Sequence, residues 1–188
     1  MDLNQKSAKE AMTWCKIRRF FALPFSPHRL ETWFSVGSVE EISPDKLTRE
    51  GIQGVLLDAD GTLGPHHFSS LPETVVQHIR VLQAEGLRVA IFTNASGDRF
   101  RELQGIPVVT DILAKPDPKS FRAAMKNELK LNDPKTVCMV GDNYVTDGGA
   151  IDAGMRFIYV FPKPGNEAPL HRMFRFLAYL CAWFYGKI

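Results

Sequence analysis

The chain has 188 residues, 45% of them hydrophobic and 23% charged, which excludes a disordered chain and leaves room for one domain with a sizeable core. Its net charge of +2 is unevenly placed: residues 1–35 carry six Lys and Arg against three acids, residues 161–188 carry four against one, and the middle is left at −4. Aromatic and aliphatic rather than polar residues accompany the basic ends, which favours an anionic lipid surface over nucleic acid, and three scattered cysteines (Cys15, Cys138, Cys181) exclude a zinc site or a disulfide framework and point to reduced thiols.

The start, MDLNQKSAKEAMTW, has no long apolar core and no small-residue cleavage pattern, so no secretory signal is expected. CKIRRFFALPFSPHRLETWF interleaves basic residues with Phe20, Phe21, Leu23, Phe25, Trp33 and Phe34, and Pro24 and Pro27 limit it to a short amphipathic helix. VEEISPDKLTRE reads as a connector and a short helix. GIQGVLLDAD then gives a buried strand, LPETVVQHIRVLQAEG an amphipathic helix between Pro72 and Gly86, and LRVAIFTNAS a second strand. The rhythm continues with GDRFRELQG as a short helix, IPVVTDIL as a strand and DPKSFRAAMKNELKL as a helix. TVCMVGDN is a strand, TDGGAIDAG a helix and MRFIYVFP the last strand. Strands alternating with helices predict an α/β, doubly wound, Rossmann-like parallel sheet. The tail has an unbroken apolar run from Phe176 to Tyr185, too short to cross a hydrocarbon core of about 30 Å. With Tyr179, Trp183 and Tyr185 flanked by Arg172, Arg175 and Lys187, it suits a helix lying in a membrane interface; a terminal helix docked on its own domain is the alternative.

The polar clusters stand where this fold binds ligands. Asp58, Thr93 and Asp142 lie at or just beyond the carboxyl ends of predicted strands, and Lys115 follows another. Taken singly, each has a plain explanation. DADGT can be a tight turn, although it lacks the third ligand and later glutamate of a calcium loop. FTNAS can cap a helix, AKPDP can be a solvated lysine before a turn, and Asp147 of GDNYVTD can cap a helix. Four such clusters in order at strand ends form one site. Two aspartates at the mouth of a buried strand, Asp58 and Asp60, repel each other unless a proton or a cation compensates.

These residues resemble the haloacid dehalogenase superfamily of phosphotransferases, over roughly residues 50–163 and through four motifs: Asp58-Ala59-Asp60-Gly61-Thr62, Thr93-Asn94, Lys115-Pro116, and Gly141-Asp142 through Asp147. The resemblance implies Asp58 as nucleophile, forming an aspartyl-phosphate, and Asp60 as general acid and then base. It implies Mg2+ held by the Asp58 side chain, the Asp60 backbone carbonyl and Asp142, since this hard cation takes oxygen ligands. Thr93, the Asn94 amide and Lys115 would bind the phosphoryl oxygens, while Asp147 orients Lys115 or supports the metal and Asn143 supports the same loop. His66 and His67 are expected to be flap or surface residues rather than ligands.

Relatives acting on small molecules usually carry a cap domain after the first or second motif. Leu63 to Phe92 holds only a loop and a helix, and Asn94 to Lys115 only a short helix and a strand, so a capless, open site is expected. ISPDKLTREGIQGVLLDADGTL, AKP, GDNYVTD and YVFPKP are similar to the YqeG-type subgroup, related to mitochondrial phosphatidylglycerophosphate phosphatases. The expectation is therefore a basic-aromatic segment over 1–38, the phosphatase domain over 39–166 and an amphipathic helix over 167–188. The enzyme would dephosphorylate phosphatidylglycerophosphate as a peripheral protein on the cytoplasmic face of a membrane, or the mitochondrial matrix face in a eukaryote. The alternatives are a soluble phosphatase for a sugar, nucleotide or phosphoprotein, and a non-catalytic membrane scaffold, against which the intact Asp58, Asp60, Lys115 and Asp142 set argues.

Overall fold

A computed structural model describes residues 13–94, 100, 102–109 and 114–188. Its centre is β2 (Gly54–Leu57), four residues all buried, which pairs in parallel with β3 (Arg88–Phe92) on one side and β5 (Val137–Gly141) on the other. Such a strand is apolar throughout because helices cover both of its faces. Val55 and Leu57 point into the cluster that includes Val75, Val76, Ile79 and Leu82 of α3 (Glu73–Ala84). Leu56 points the other way, into the cluster with Phe121, Ala124 and Met125 of α4 (Pro118–Asn127). Leu57→Ala would open a hole in the middle of the first cluster, at a cost of about 2–5 kcal/mol.

The helices begin and end where their sequences dictate. Pro118 opens α4 behind Asp117, whose side chain accepts from the Lys119 amide at 2.9 Å. α3 stops at Gly86, whose φ of +84° suits glycine, and the Leu87 amide folds back to the Leu82 carbonyl at 3.2 Å.

The sheet order is β1-β6-β5-β2-β3-β4, every pair parallel, with β1 at Phe34–Val36, β4 at Val108–Val109 and β6 at Arg156–Val160. From β2 the chain winds outward to β3 and β4, then crosses back and winds the other way from β5. The order therefore reverses between β2 and β5, and a crevice opens beyond their carboxyl ends. The doubly wound parallel sheet is as the sequence predicts, and among the described residues no cap domain stands over it.

Three differences have physical causes. β1 has no counterpart in the sequence reading: its three half-buried residues carry no periodic signal, and the strand exists because β6 offers an edge, with the Trp33 amide bonding the Phe157 carbonyl at 2.8 Å. The helix expected over residues 97–105 lies partly outside the described residues, and residues 102–105 form turns and bends. Of the strand expected over residues 106–113, Val108–Val109 is formed, and residues 110–113 lie outside the described residues.

The terminal segments pack on this core. α1 (Trp14–Ala22) turns Lys16 and Arg19 inward. α6 (Pro169–Phe184) buries Ala178 and Ala182, and the two meet through the Phe20 and Phe174 rings, 4.3 Å apart. The helix α2 (Pro44–Arg49) precedes β2, and α5 (Gly149–Asp152) follows β5. All three cysteines are free thiols.

Candidate active site

β2 carries the ladder one residue past its end, with the Asp58 amide donating to the Val140 carbonyl at 2.9 Å, so Asp58 stands at the lip of the crevice. The chain then turns tightly, the Leu63 amide returning to the Ala59 carbonyl at 2.9 Å. Gly61 is required there twice over: its φ is +85°, and a Cβ would lie 2.5 Å from Asp142 Oδ2. Asp60 is half-buried, and its Oδ1 accepts from the His67 amide at 2.8 Å. Past β3, Thr93 is buried and Asn94 Oδ1 accepts from the Lys115 amide at 3.2 Å.

Lys115, on a cis bond to Pro116, joins these parts. Only 2% exposed, it donates from Nζ to Asp58 Oδ1 at 2.5 Å and to Asp147 Oδ1 at 2.6 Å. The other oxygen of Asp147 accepts from the Asn143 amide at 3.1 Å, and the Asn143 side chain accepts from the Val145 amide at 2.9 Å. Asp147 is thus enclosed in the loop after β5, so close to Gly141 that a Cβ there would fall 2.4 Å from its Oδ2. The structure brings all eight sequence-predicted residues, Asp58, Asp60, Thr93, Asn94, Lys115, Asp142, Asn143 and Asp147, to one place. Seven of them line a cleft of about 230 Å³, and Asp147 sits behind Lys115.

The electrostatics call for a cation. Asp58, Asp142 and Asp147 bring carboxylate oxygens within 4.8 Å of one another, all buried. Burial pushes the Asp58 carboxyl up to about 7: Lys115 opposes the shift, and the charges of Asp147 and Asp60 add to it. Burial, then Asp147 and Asp58, raise Asp142 well above the usual carboxylate range. Lys115 is held above the ordinary ammonium value because Asp147 and Asp58 together outweigh its own burial. Asp142 Oδ2 is buried without a hydrogen bond, and the nearest positive group, Arg175 Nη1, stands 3.3 Å away without the alignment of one. One ammonium among these acids leaves negative charge over. An oxygen-only donor set with one acceptor unused fits a hard divalent cation such as Mg2+.

The remaining wall of the cleft was not legible in the sequence. Lys16 of α1 lines it, as do Thr146, Glu167, Ala168 and His171. Glu167 is buried and accepts from Arg175 through Nη2 at 2.5 Å and Nε at 3.3 Å. His66, expected as a flap or surface residue, is half-buried in the cleft wall with Nε2 3.8 Å from Glu167, and burial lowers its pKa; His67 is exposed. Lys16, Arg19 and Arg175 therefore do not face lipid as the charge pattern suggested. Arg19, 4% exposed, pairs with Asp152 and donates to the carbonyls of Tyr144 at 3.0 Å and Gly148 at 2.5 Å, clamping α1 onto the loop that carries Asp147. These partners stand more than a hundred residues along the chain, where helical periodicity gives no sign of them.

Comparison with known proteins agrees with this geometry. The haloacid dehalogenase-like hydrolase family matches residues 41–154, more than half of the chain. A curated relative, "Probable phosphatase YqeG" of Bacillus subtilis, is 28% identical over 145 residues, covering 74% of this chain and 82% of its own. One solved crystal structure superimposes with a TM-score of 0.54 at 12% identity, over 72% of this chain and 85% of the other, which shows the fold. CbbY from Rhodobacter sphaeroides in complex with phosphate gives a TM-score of 0.45 at 18% identity, over 62% and 90%. With its strand-end carboxylates gathered around Lys115 and its family matched across the core, the chain belongs to the haloacid dehalogenase-like hydrolases.

Proposed function

We propose that this hydrolase cleaves a phosphate monoester through a covalent aspartyl-phosphate, and that its substrate is phosphatidylglycerophosphate at a membrane surface. That it is a phosphatase follows from its family and its relative. The observation that carries the mechanism is Lys115 held between Asp58 at 2.5 Å and Asp147 at 2.6 Å. The ammonium fixes one oxygen of Asp58 and leaves the other for attack on phosphorus. In the first step Asp58 forms the new oxygen–phosphorus bond, the ester bond breaks, and Asp60 gives a proton to the departing alcohol oxygen. In the second, Asp60 takes a proton from water, which attacks phosphorus and frees inorganic phosphate and Asp58. Thr93, the Asn94 amide and Lys115 hold the phosphoryl oxygens throughout, and this positioning is most of what such a transfer requires. Mg2+ held by Asp58, Asp142 and the Asp60 carbonyl would neutralise the crowded carboxylates and the phosphoryl charge.

The terminal helices support the lipid surface. Trp14, Phe21 and Phe25 are exposed at one end of the chain, and Phe176, Leu177, Trp183 and Phe184 at the other. Tyr185 donates to the Pro24 carbonyl at 2.6 Å and Lys187 pairs with Glu31 at 2.5 Å, so the two sets lie on adjoining segments. Among the described residues no helix is long and apolar enough to cross a membrane. An aromatic surface with Arg18 and Arg172 exposed beside it suits peripheral binding to anionic lipid. α6 is docked on its own domain through Ala178 and Ala182, the alternative expectation for the tail, and its opposite face carries the exposed aromatic residues on which the lipid reading rests.

The test is a phosphate-release assay of the full chain on phosphatidylglycerophosphate, phosphatidic acid, glucose 6-phosphate and a phosphoserine peptide, with and without EDTA. Phosphatidylglycerophosphate should give the highest kcat/KM, and chelation should abolish turnover. A soluble ester turned over best would overturn the lipid assignment, and full activity in EDTA would overturn the metal.

A further inference from the structure

A second hollow lies beside the cleft, and α6 serves both. Helical spacing gives this helix two neighbouring stripes. Ala168, His171 and Arg175 form the stripe that meets the cleft: the first two line it, and Arg175 bonds Glu167 and stands 3.3 Å from Asp142, which line it too. Met173, Phe176 and Tyr179 form the other stripe, and with Tyr159 of β6 and Phe161 just after it they wall a groove of about 600 Å³. The cleft, at about 230 Å³, is less than half that size, and it is charged where the groove is apolar. Small-molecule sites fall in the range of about 300–1,000 Å³.

The domain does not close this groove over as it closes its core. Phe161 is 43% exposed, Met173 48% and Phe176 56%, so an apolar ligand laid along them would take that surface out of water. The groove also joins the two places that a lipid substrate must reach at once. Phe176 belongs both to it and to the exposed aromatic surface that would rest on lipid, and Arg175 belongs both to it and, through Glu167, to the cleft wall. Burial first, and then the charge of Asp142, hold the Tyr159 phenol above its ordinary range, so the groove lies within electrostatic reach of the catalytic acids. Arg172, exposed on the same wall, adds a positive charge, whereas that of Arg175 is already met by Glu167. Apolar walls beside a guanidinium match an amphiphile with an anionic head.

We propose that this groove binds an acyl chain of the phospholipid substrate, holding the chain along α6 while the phosphate monoester stands at Asp58. The proposal rests on the reading of this enzyme as a phospholipid phosphatase and adds where the lipid's tail lies. A sugar phosphate or a nucleotide has no chain to place there. A lipid whose phosphate reaches the strand ends must bring part of its tail out of the bilayer, and the groove keeps that part away from water.

The experiment measures kcat/KM of full-length wild type, Met173→Asp, Met173→Trp and Met173→Leu on deacylated phosphatidylglycerophosphate and on its dibutyryl and dihexanoyl forms, each dissolved as monomers so that no membrane takes part. For wild type, kcat/KM should rise about tenfold from the dibutyryl to the dihexanoyl form, as expected for burying two more methylenes of one chain, with KM falling and kcat steady. Met173→Asp sets a carboxylate in the groove and should flatten that rise to within about twofold, whereas Met173→Leu should keep it. Met173→Trp fills the groove without adding charge and should flatten the rise as well; it decides the question should Met173→Asp fail to melt cooperatively. A wild-type kcat/KM indifferent to chain length, a rise that a folded Met173→Asp retains, or equal losses on all three compounds would overturn the proposal while leaving the phospholipid reading in place. Turnover of none of the three, with a soluble ester hydrolysed instead, removes that reading and the groove's role with it.

Discussion

β2 and α6 use apolar residues in opposite ways. Every residue of Gly54–Leu57 is buried between neighbouring strands and two layers of helix, whereas α6 buries Ala178 and Ala182 and leaves Leu170, Met173, Phe176, Leu177, Trp183 and Phe184 facing out. The strand is fixed by contact on all sides, and this rigidity sets Asp58 beside Lys115 to within a hydrogen bond. The helix is held by small residues on one face and by the Arg175–Glu167 pair near its start. A helix serving only to cover the core would hide its aromatic side chains, and a helix serving only as a tether would bring nothing to the cleft. α6 shows aromatics outward while Glu167, Ala168 and His171 reach the site, so the chemistry is carried by the inherited sheet and its surroundings by the ends of the chain.

The sharpest break is Asp58→Asn. It keeps the shape of β2 and its lip but removes the attacking oxygen, so phosphate release should fall by about a thousandfold or more with the circular dichroism spectrum unchanged. Substantial residual turnover would refute the covalent route.

Arg19→Ala tests whether the terminal segments are part of the fold. It leaves Asp152 without its closest partner and takes a donor from each of the Tyr144 and Gly148 carbonyls, and breaking a buried pair costs about 3–5 kcal/mol, readable as a lower urea midpoint. A loss below about 1 kcal/mol would mean that α1 is only draped over the loop.

The third prediction concerns the acids at the floor. Asp58 is raised from 3.8 to about 7, so its stabilising contribution is whole below pH 3.8 and lost as pH rises through about 7, and Asp142 shifts the same way. In EDTA the protein should melt lower at pH 8 than at pH 6, by about 2–4 °C for each kcal/mol, and magnesium at pH 8 should restore it. A melting temperature that climbs over that interval in EDTA would contradict the like-charge crowding.

The smallest effect is expected on the outer face. Trp183→Ser with Phe184→Ser should weaken co-sedimentation with vesicles of phosphatidylcholine and phosphatidylserine by roughly tenfold, since buried aromatic area drives such binding. Turnover of a soluble monoester should hold, because both residues lie beyond the part of α6 that touches the cleft. Unchanged co-sedimentation would assign this face to something other than lipid.

What the sequence disclosed follows the same division. The sheet was legible because its strands are short apolar runs between helices of clear periodicity, and the site because four motifs fall at successive strand ends. Phe34–Val36 escaped because a strand of three half-buried residues is defined by the edge it meets. Lys16, Arg19 and Arg175 were assigned to lipid because a basic residue on an amphipathic helix looks alike from the sequence whether it meets a phosphate headgroup or a buried carboxylate. Asp152, which pairs with Arg19, and Asp142, which stands beside Arg175, become neighbours of those residues only when the fold brings distant parts of the chain together. Glu167 lies three residues past YVFPKP and outside every motif, and nothing local marked it as a residue that would be buried.

One outermost strand of the sheet, β1, has only three residues. An edge strand offers unpaired amides and carbonyls to any other chain, and long flat edges invite runaway self-association. A protein that displays this many bare aromatic rings already runs that risk, and an edge as brief as β1 gives a second molecule little backbone to zip onto. On the β1 side of the sheet, stickiness belongs to the α1 and α6 face, so crowded copies of this enzyme that meet there should cluster reversibly, in a manner that detergent disperses, instead of growing into fibres.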